Sequence, residues 1–148
     1  MLKTKTMNKK ELRIGNIVGR EYWNPAPTGK TKEYETCTIV TLELENLLTT
    51  ESLKRNKYFK TTYDNIKPIP LTTEWLEKFG FNIDNENNEA NKDFERYSIL
   101  IDTEQMGVHV YNESYYENLF LMYARTDYVH EFQNLIFALT NEELTIKS

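Results

Sequence analysis

Two groups of aromatic and cationic residues offer the chemistry in this chain: Arg20, Tyr22, Trp23 and Lys30 early, then Tyr111, Tyr115, Tyr116 and Arg125 late. An aromatic face stacks on a planar heterocycle for about 1–3 kcal/mol, and guanidinium or ammonium groups hold phosphate through charge-assisted hydrogen bonds. If the two groups converge, they form a pocket for a nucleotide-sized ligand. The competing reading is that each tyrosine fills a half-buried position in a β-rich fold, ring inside and hydroxyl wet. The composition draws attention to these rings. Aromatic residues make up 13% of the chain and 10 of them are tyrosines, beside an ordinary charged fraction of 28%.

Other chemistries find little support. The two histidines, His109 and His130, have no metal-spaced partner of the HExxH or CxxC kind, although His130 shares a helical face with Asp127 and Asn134. There is no GxSxG elbow, and 5 glycines leave little from which to build a phosphate loop. The single cysteine, Cys37, lies near Ile39, Val40 and Leu42 in a strand-like run, where it acts as a small apolar residue and nothing nearby in sequence lowers its pKa. Asp84, Glu86 and Asn88 imitate the first ligands of a calcium loop, but the turn glycine and the bidentate glutamate are missing. The expectation is therefore a binding protein without catalytic residues, metal or cofactor. A small phosphodiesterase or glycosidase built on carboxylates stays open, since such sites leave no linear motif.

These residues must be positioned by one domain. A chain of 148 residues buries roughly two thirds of the surface its unfolded form exposes. Residues 1–10 read as a flexible arm and 11–148 as a single α+β domain. "ELRIGNIV" reads as a short strand, "EYWNPAPTGKTKEYE" as a loop with Tyr22 and Trp23 at its base, and "TCTIVTLELENLL" as a strand. In that strand Val40, Leu42 and Leu44 alternate against Cys37 and Ile39. "SLKRNKYFKTTYDNIKPIP" gives one or two more strands, ended by Pro68 and Pro70, which cannot donate to a sheet ladder. A short helix follows, capped by Thr72, burying Trp75, Leu76 and Phe79 and stopped by Gly80. "NIDNENNEANKDFE" reads as a solvated loop. "RYSILID", "MGVHVYN" and "NLFLMYA" form a β-meander, and Val129, Phe132, Leu135, Ile136 and Leu139 form the stripe of a C-terminal helix. That helix takes Thr126 or Asp127 as its cap and ends at Asn141. Strands, short helix, strands and longer helix without a βαβ alternation make an α+β fold, with a curled or barrel-like N-terminal antiparallel sheet.

Charge and sorting signals narrow the partners. With 23 acidic against 18 basic side chains the net charge is -5, and four of the basic groups lie in the first ten residues. The remaining body is more acidic still, which argues against nucleic acid and leaves a lysine-armed, SH3-like nucleic-acid module as a minor reading. No apolar segment has the form of a signal peptide or the length of a membrane span. With one cysteine, a cytoplasmic protein is expected.

Three anchors, "KELRIGNIV", "IKPIPLTTEWLEKFGF" and "YVHEFQNLIFALTNEELTIK", resemble in that order a family of small proteins encoded by phages, prophages and mobile elements of Bacteroidetes. The family often has glycine where this chain has Asn141. The resemblance implies action in the cytoplasm of an infected bacterium and brings no catalytic residues with it. A constant scaffold carrying variable loops suits a binding module. The function expected is sequestration of a small nucleotide-derived signal to counter a host defence, with the protein as a homo-oligomer. The alternative is an inhibitor or adaptor that docks on a host or phage protein through Trp23 and its proline-rich loop.

Overall fold

In the computed structural model, residues 7–27, 29–43, 46–112 and 119–146 are described. The chain divides into two compact units, Met1–Ile69 and Pro70–Ser148. The division falls between Pro68 and Pro70, whose fixed φ and missing N–H stop the preceding strand. The overall class is α+β, with two five-stranded antiparallel sheets.

The first unit begins where the arm was expected. Met7 is buried, and Asn8 caps a single 3-10 turn at Lys9–Glu11 by accepting from the Lys10 amide at 3.1 Å. Residues 1–6 lie outside the described residues. β1 (Ile17–Ala26) and β2 (Gly29–Leu42) form a long hairpin, followed by β3 (Leu47–Ser52), β4 (Tyr58–Thr62) and β5 (Ile66–Lys67) in the order β4-β3-β2-β1-β5. The sheet stays open and does not close into a barrel. Met7, Leu12, Val18, Ile39, Leu48 and Ile66 make its core, with Tyr63 packed against them.

Three local readings change here. The stretch "ELRIGNIV", expected as a short strand, closes the 3-10 turn at Glu11 and turns again at Ile14 and Gly15 before β1 starts at Ile17. The stretch expected as a loop, "EYWNPAPTGKTKEYE", is mostly paired strand, from Ile17↔Thr38 to Ala26↔Gly29. β5 pairs with β1 only at Gly19 and Arg20, so Pro25 sits where β1 is a free edge and its lack of a donor costs no ladder bond. In β2 a bulge places two residues against one between Ile39↔Thr50 and Thr41↔Thr49. It turns Leu42 to the same face as Ile39 and Leu48, where strict alternation had put Leu42 opposite Ile39. Leu44 lies outside the described residues.

In the second unit, α1 (Thr73–Lys78) follows the N-cap Thr72 and ends as its residues predict. Gly80 takes φ +84, its amide donates to the Glu77 carbonyl at 2.9 Å, and the Phe81 amide donates to the Leu76 carbonyl at 3.0 Å. This is the paired closure that a left-handed glycine permits. Next comes β6 (Asn82–Asp84), then β7 (Glu89–Asp93), β8 (Tyr97–Asp102), β9 (Gly107–Asn112) and β10 (Leu119–Arg125) in the order β10-β9-β8-β7-β6. The asparagine-rich stretch expected as a solvated loop is thus the β6–β7 hairpin. Asp84 accepts from the Glu86 and Asn87 amides, Asn88 supplies a positive φ, and Ala90 and Phe94 are buried. The meander falls where expected. α2 (Val129–Thr140) begins at Tyr128 rather than Thr126 or Asp127, and Asn141 ends it at φ +59 with its amide on the Phe137 carbonyl. Phe132 packs against Phe79 and Phe81, and Phe81 against Phe94, at ring centroid distances of 5.6–6.5 Å.

The division also resolves the charge. Residues 1–69 carry 13 Lys and Arg against 8 Asp and Glu, a formal +5, whereas 70–148 carry 5 against 15, a formal -10. Beyond the lysine arm, residues 11–69 carry 9 Lys and Arg against 8 Asp and Glu, a formal +1, so the acidic excess of the body lies in 70–148.

Candidate functional site

One face of the first sheet runs from apolar to ionic. Val18, Cys37, Ile39 and Leu48 occupy it at the buried end, and the same alternation continues to Arg20, Tyr22, Glu33 and Glu35 along β1 and β2. Register sets the pairs: Arg20 lies opposite Glu35, Tyr22 opposite Glu33, and Cys37 opposite Ser52.

Glu35 is the centre. Arg20 donates to it across the β1–β2 ladder, and Arg55 reaches from the β3–β4 turn with Nε on Oε2 at 3.0 Å and Nη2 on Oε1 at 2.6 Å. Ser52 Oγ donates to Oε2 at 2.9 Å and accepts from the Arg55 amide at 3.2 Å, which fixes the turn that delivers Arg55. Burial pushes the Glu35 carboxyl up, but the hydrogen bonds from Arg55, Arg20 and Ser52 outweigh it and hold the group at about 2. The same bond to Glu35 raises the Arg55 guanidinium.

Two rings hold the arginines. The Arg20 guanidinium carbon lies 4.2 Å from the Phe59 centroid and 5.1 Å from Tyr22, and that of Arg55 lies 4.4 Å and 5.0 Å from the same rings. Tyr22 donates to Glu33 at 2.8 Å, and Asn24 donates to the same carboxylate at 3.1 Å. Those bonds raise the Tyr22 hydroxyl and, from Asn24 first and Tyr22 next, lower Glu33. Burial raises the Cys37 thiol, which keeps it out of nucleophilic chemistry.

Two guanidinium charges thus share one carboxylate. Arg20 is 6% exposed, and its Nε–H is buried with no hydrogen-bond partner among the described residues. A cleft of about 370 Å³ opens beside it, lined by Arg20, Glu21, Tyr22 and Trp23 of β1, Leu47 of β3, Lys60, Thr61 and Thr62 of β4, and Asn65. Its size lies within the range of small-molecule sites.

Of the early group, Arg20 and Tyr22 come together on this face. Trp23 and Lys30 belong to the opposite one, where Lys32 Nζ lies 5.9 Å from the Trp23 ring. The late group falls in the second unit. Tyr111 is half-buried in β9 opposite Ser98 and Phe120, whereas Arg125 lies four pairs along that ladder, opposite Gly107, and bonds Asp127 at 3.0 Å. Four residues of strand separate them by about 13 Å along the ladder. Tyr115 and Tyr116 lie outside the described residues. Glu35, Ser52, Arg55 and Phe59 are the additions that the structure makes. Their signal in the sequence is slight: Arg20, Tyr22, Glu33 and Glu35 keep period two, but no spacing ties Arg55 or Phe59 to them.

The described residues contain no helix long and apolar enough to cross a membrane. No family model, curated protein or solved structure matches the chain.

Proposed function

We propose that this chain is a non-enzymatic binding protein that takes a small phosphate-bearing, nucleotide-derived ligand at the Arg20–Arg55 cluster, and that holding such a signal counters a host defence. One observation carries the ligand class: two arginines share a single carboxylate beside an open cleft, and one of them keeps a buried donor unsatisfied. Each guanidinium has five N–H donors in a fixed fork, so donors remain for an incoming anion after Glu35 is served. Tyr22 and Phe59 already face the guanidinium groups, so here they position the arginines rather than stack on a base. The resemblance to phage and mobile-element proteins supports the wider role in host defence.

Isothermal titration of the full chain against cyclic dinucleotides and ADP-ribose derivatives tests the reading. Heat for at least one of them is expected, with Arg55→Ala weakening it roughly 10- to 100-fold, the worth of a charge-assisted hydrogen bond. Arg55→Lys should recover little, because it keeps the charge and loses the fork. No heat for any of these ligands sinks the proposal.

A further inference from the structure

The opposite face of the first sheet is not a conventional solvated surface. Trp23, Tyr34 and Tyr58 are 62%, 63% and 64% exposed, in strands β1, β2 and β4. Strand parity puts Trp23 and Tyr34 on the face away from Arg20 and Glu35, and Tyr58 away from the half-buried Phe59. Trp23 lies opposite Lys32 and Tyr34 opposite Glu21, so the two rings are diagonal neighbours, about 7–8 Å apart.

Cations surround them. Lys30, Lys32 and Lys60 share the face, with Lys57 exposed in the turn before Tyr58, whereas Lys54 of that turn acts on Glu33 of the inner face. Its acidic groups are partly spoken for: Glu21 is buried under its ion pair with Lys32, Glu43 lies 3.6 Å from Lys60, and Glu51 is half-buried opposite Tyr58. Beyond the four lysines of residues 1–10, the unit that carries the face holds 9 Lys and Arg against 8 Asp and Glu, a formal +1.

Exposed rings interleaved with lysines on a small antiparallel sheet are the arrangement on which successive bases of a single strand stack while the cations track its phosphates. We infer that this face binds single-stranded nucleic acid, with Trp23 and Tyr34 stacking on adjacent bases, Lys30 contacting the backbone, and Lys32 and Lys60 exchanging their carboxylate partners Glu21 and Glu43 for phosphate. A duplex fits less well, since its bases are stacked on one another and present no free face to either ring. The overall charge of -5 is no obstacle, because the excess acid belongs to the other unit. This inference shares Trp23 and Lys60 with the lining of the cleft beside Arg20, but it concerns a polymer on the outer face rather than a small ligand held by Arg20 and Arg55.

The experiment is fluorescence anisotropy of the full chain with labelled 12-nucleotide oligo-dT and oligo-U, and with a duplex of the same length, across a salt series. Single strands should bind more tightly than the duplex. With three lysines on phosphates, log K against log salt should fall with a slope near -2, at about 0.7 per contact. Trp23→Ala, at an exposed position that leaves the core intact, should weaken binding roughly 5- to 100-fold, the equivalent of one stacked base. Circular dichroism of that variant confirms its fold. Absence of binding at low salt overturns the inference, as does a Trp23→Ala, Tyr34→Ala double variant that binds like the parent. Sedimentation showing that the double variant abolishes self-association while oligonucleotides are ignored also overturns it, and assigns the face to a second copy.

Discussion

Glu35→Gln should lower stability at neutral pH by on the order of 3 kcal/mol and remove an acid-labile part of it. The Glu35 side chain is 7% exposed and is the shared partner of Arg20 and Arg55, so neutralising it leaves the buried Arg20 charge uncompensated. Breaking a buried pair from one side typically costs about 3–5 kcal/mol, and the exposure of Arg55 places this case toward the low end. The pH dependence follows from the depressed titration. In the unfolded chain the carboxyl titrates near 4.5, and in the folded chain at about 2. Its contribution is therefore fully present above pH 4.5 and is lost as pH falls from there toward 2. Urea titrations at pH 7, 4.5 and 3 should show the parent losing this increment through the lower window, whereas Glu35→Gln lacks it. Equal acid sensitivity in the two proteins would contradict the assignment.

Phe132→Ala is expected to cost about 3–5 kcal/mol, a large share of the 5–15 kcal/mol that usually separates folded from unfolded chains. Phe132 is fully buried on α2 and packs on Phe79 and Phe81, the rings that join α1 and the hairpin after it to that helix. Removing it leaves a cavity among large, rigid neighbours that collapse poorly. Trp75 reports on the same region, since its ring lies 5.9 Å from Phe79. A red shift of its emission should move to a urea midpoint lower by about 1 M or more. Leu139, on the same helix but only half-buried, should cost clearly less when changed to alanine.

Much of the fold was legible because local rules and tertiary packing agree. Thr72 and Gly80 bracket α1, Val129, Phe132 and Ile136 of the expected α2 stripe are buried while Leu135 and Leu139 are half-buried and His130 and Gln133 take the other buried places, and the three meander strands lie where alternation puts them. The misreadings have identifiable causes. Pro25 signals a loop, yet on a free edge it is compatible with a strand. Asn82 to Asn88 look like a solvated tract, but side-chain bonds from Asp84 make that composition serve as a turn. The β2 bulge reverses parity after Ile39, a shift that no alternating pattern reveals. The candidate site was legible by half. Arg20 and Tyr22 share a face because they are two apart in a strand, whereas Trp23 points to the other face by that rule and yet lines the same cleft. Arg55 and Phe59 reach the cluster by folding of β3 and β4 onto β2, which depends on register rather than on any motif.

The division at the proline pair has a consequence for handling the protein. An isoelectric point near 5.2 averages a cationic segment and an anionic one and describes neither. Separate copies present each other with complementary charge, so attraction between them is strongest in dilute buffer. At physiological ionic strength the screening length shortens to about 8 Å and that attraction fades. Such a polypeptide is expected to be salted in, so its turbidity at fixed concentration should fall as electrolyte is added.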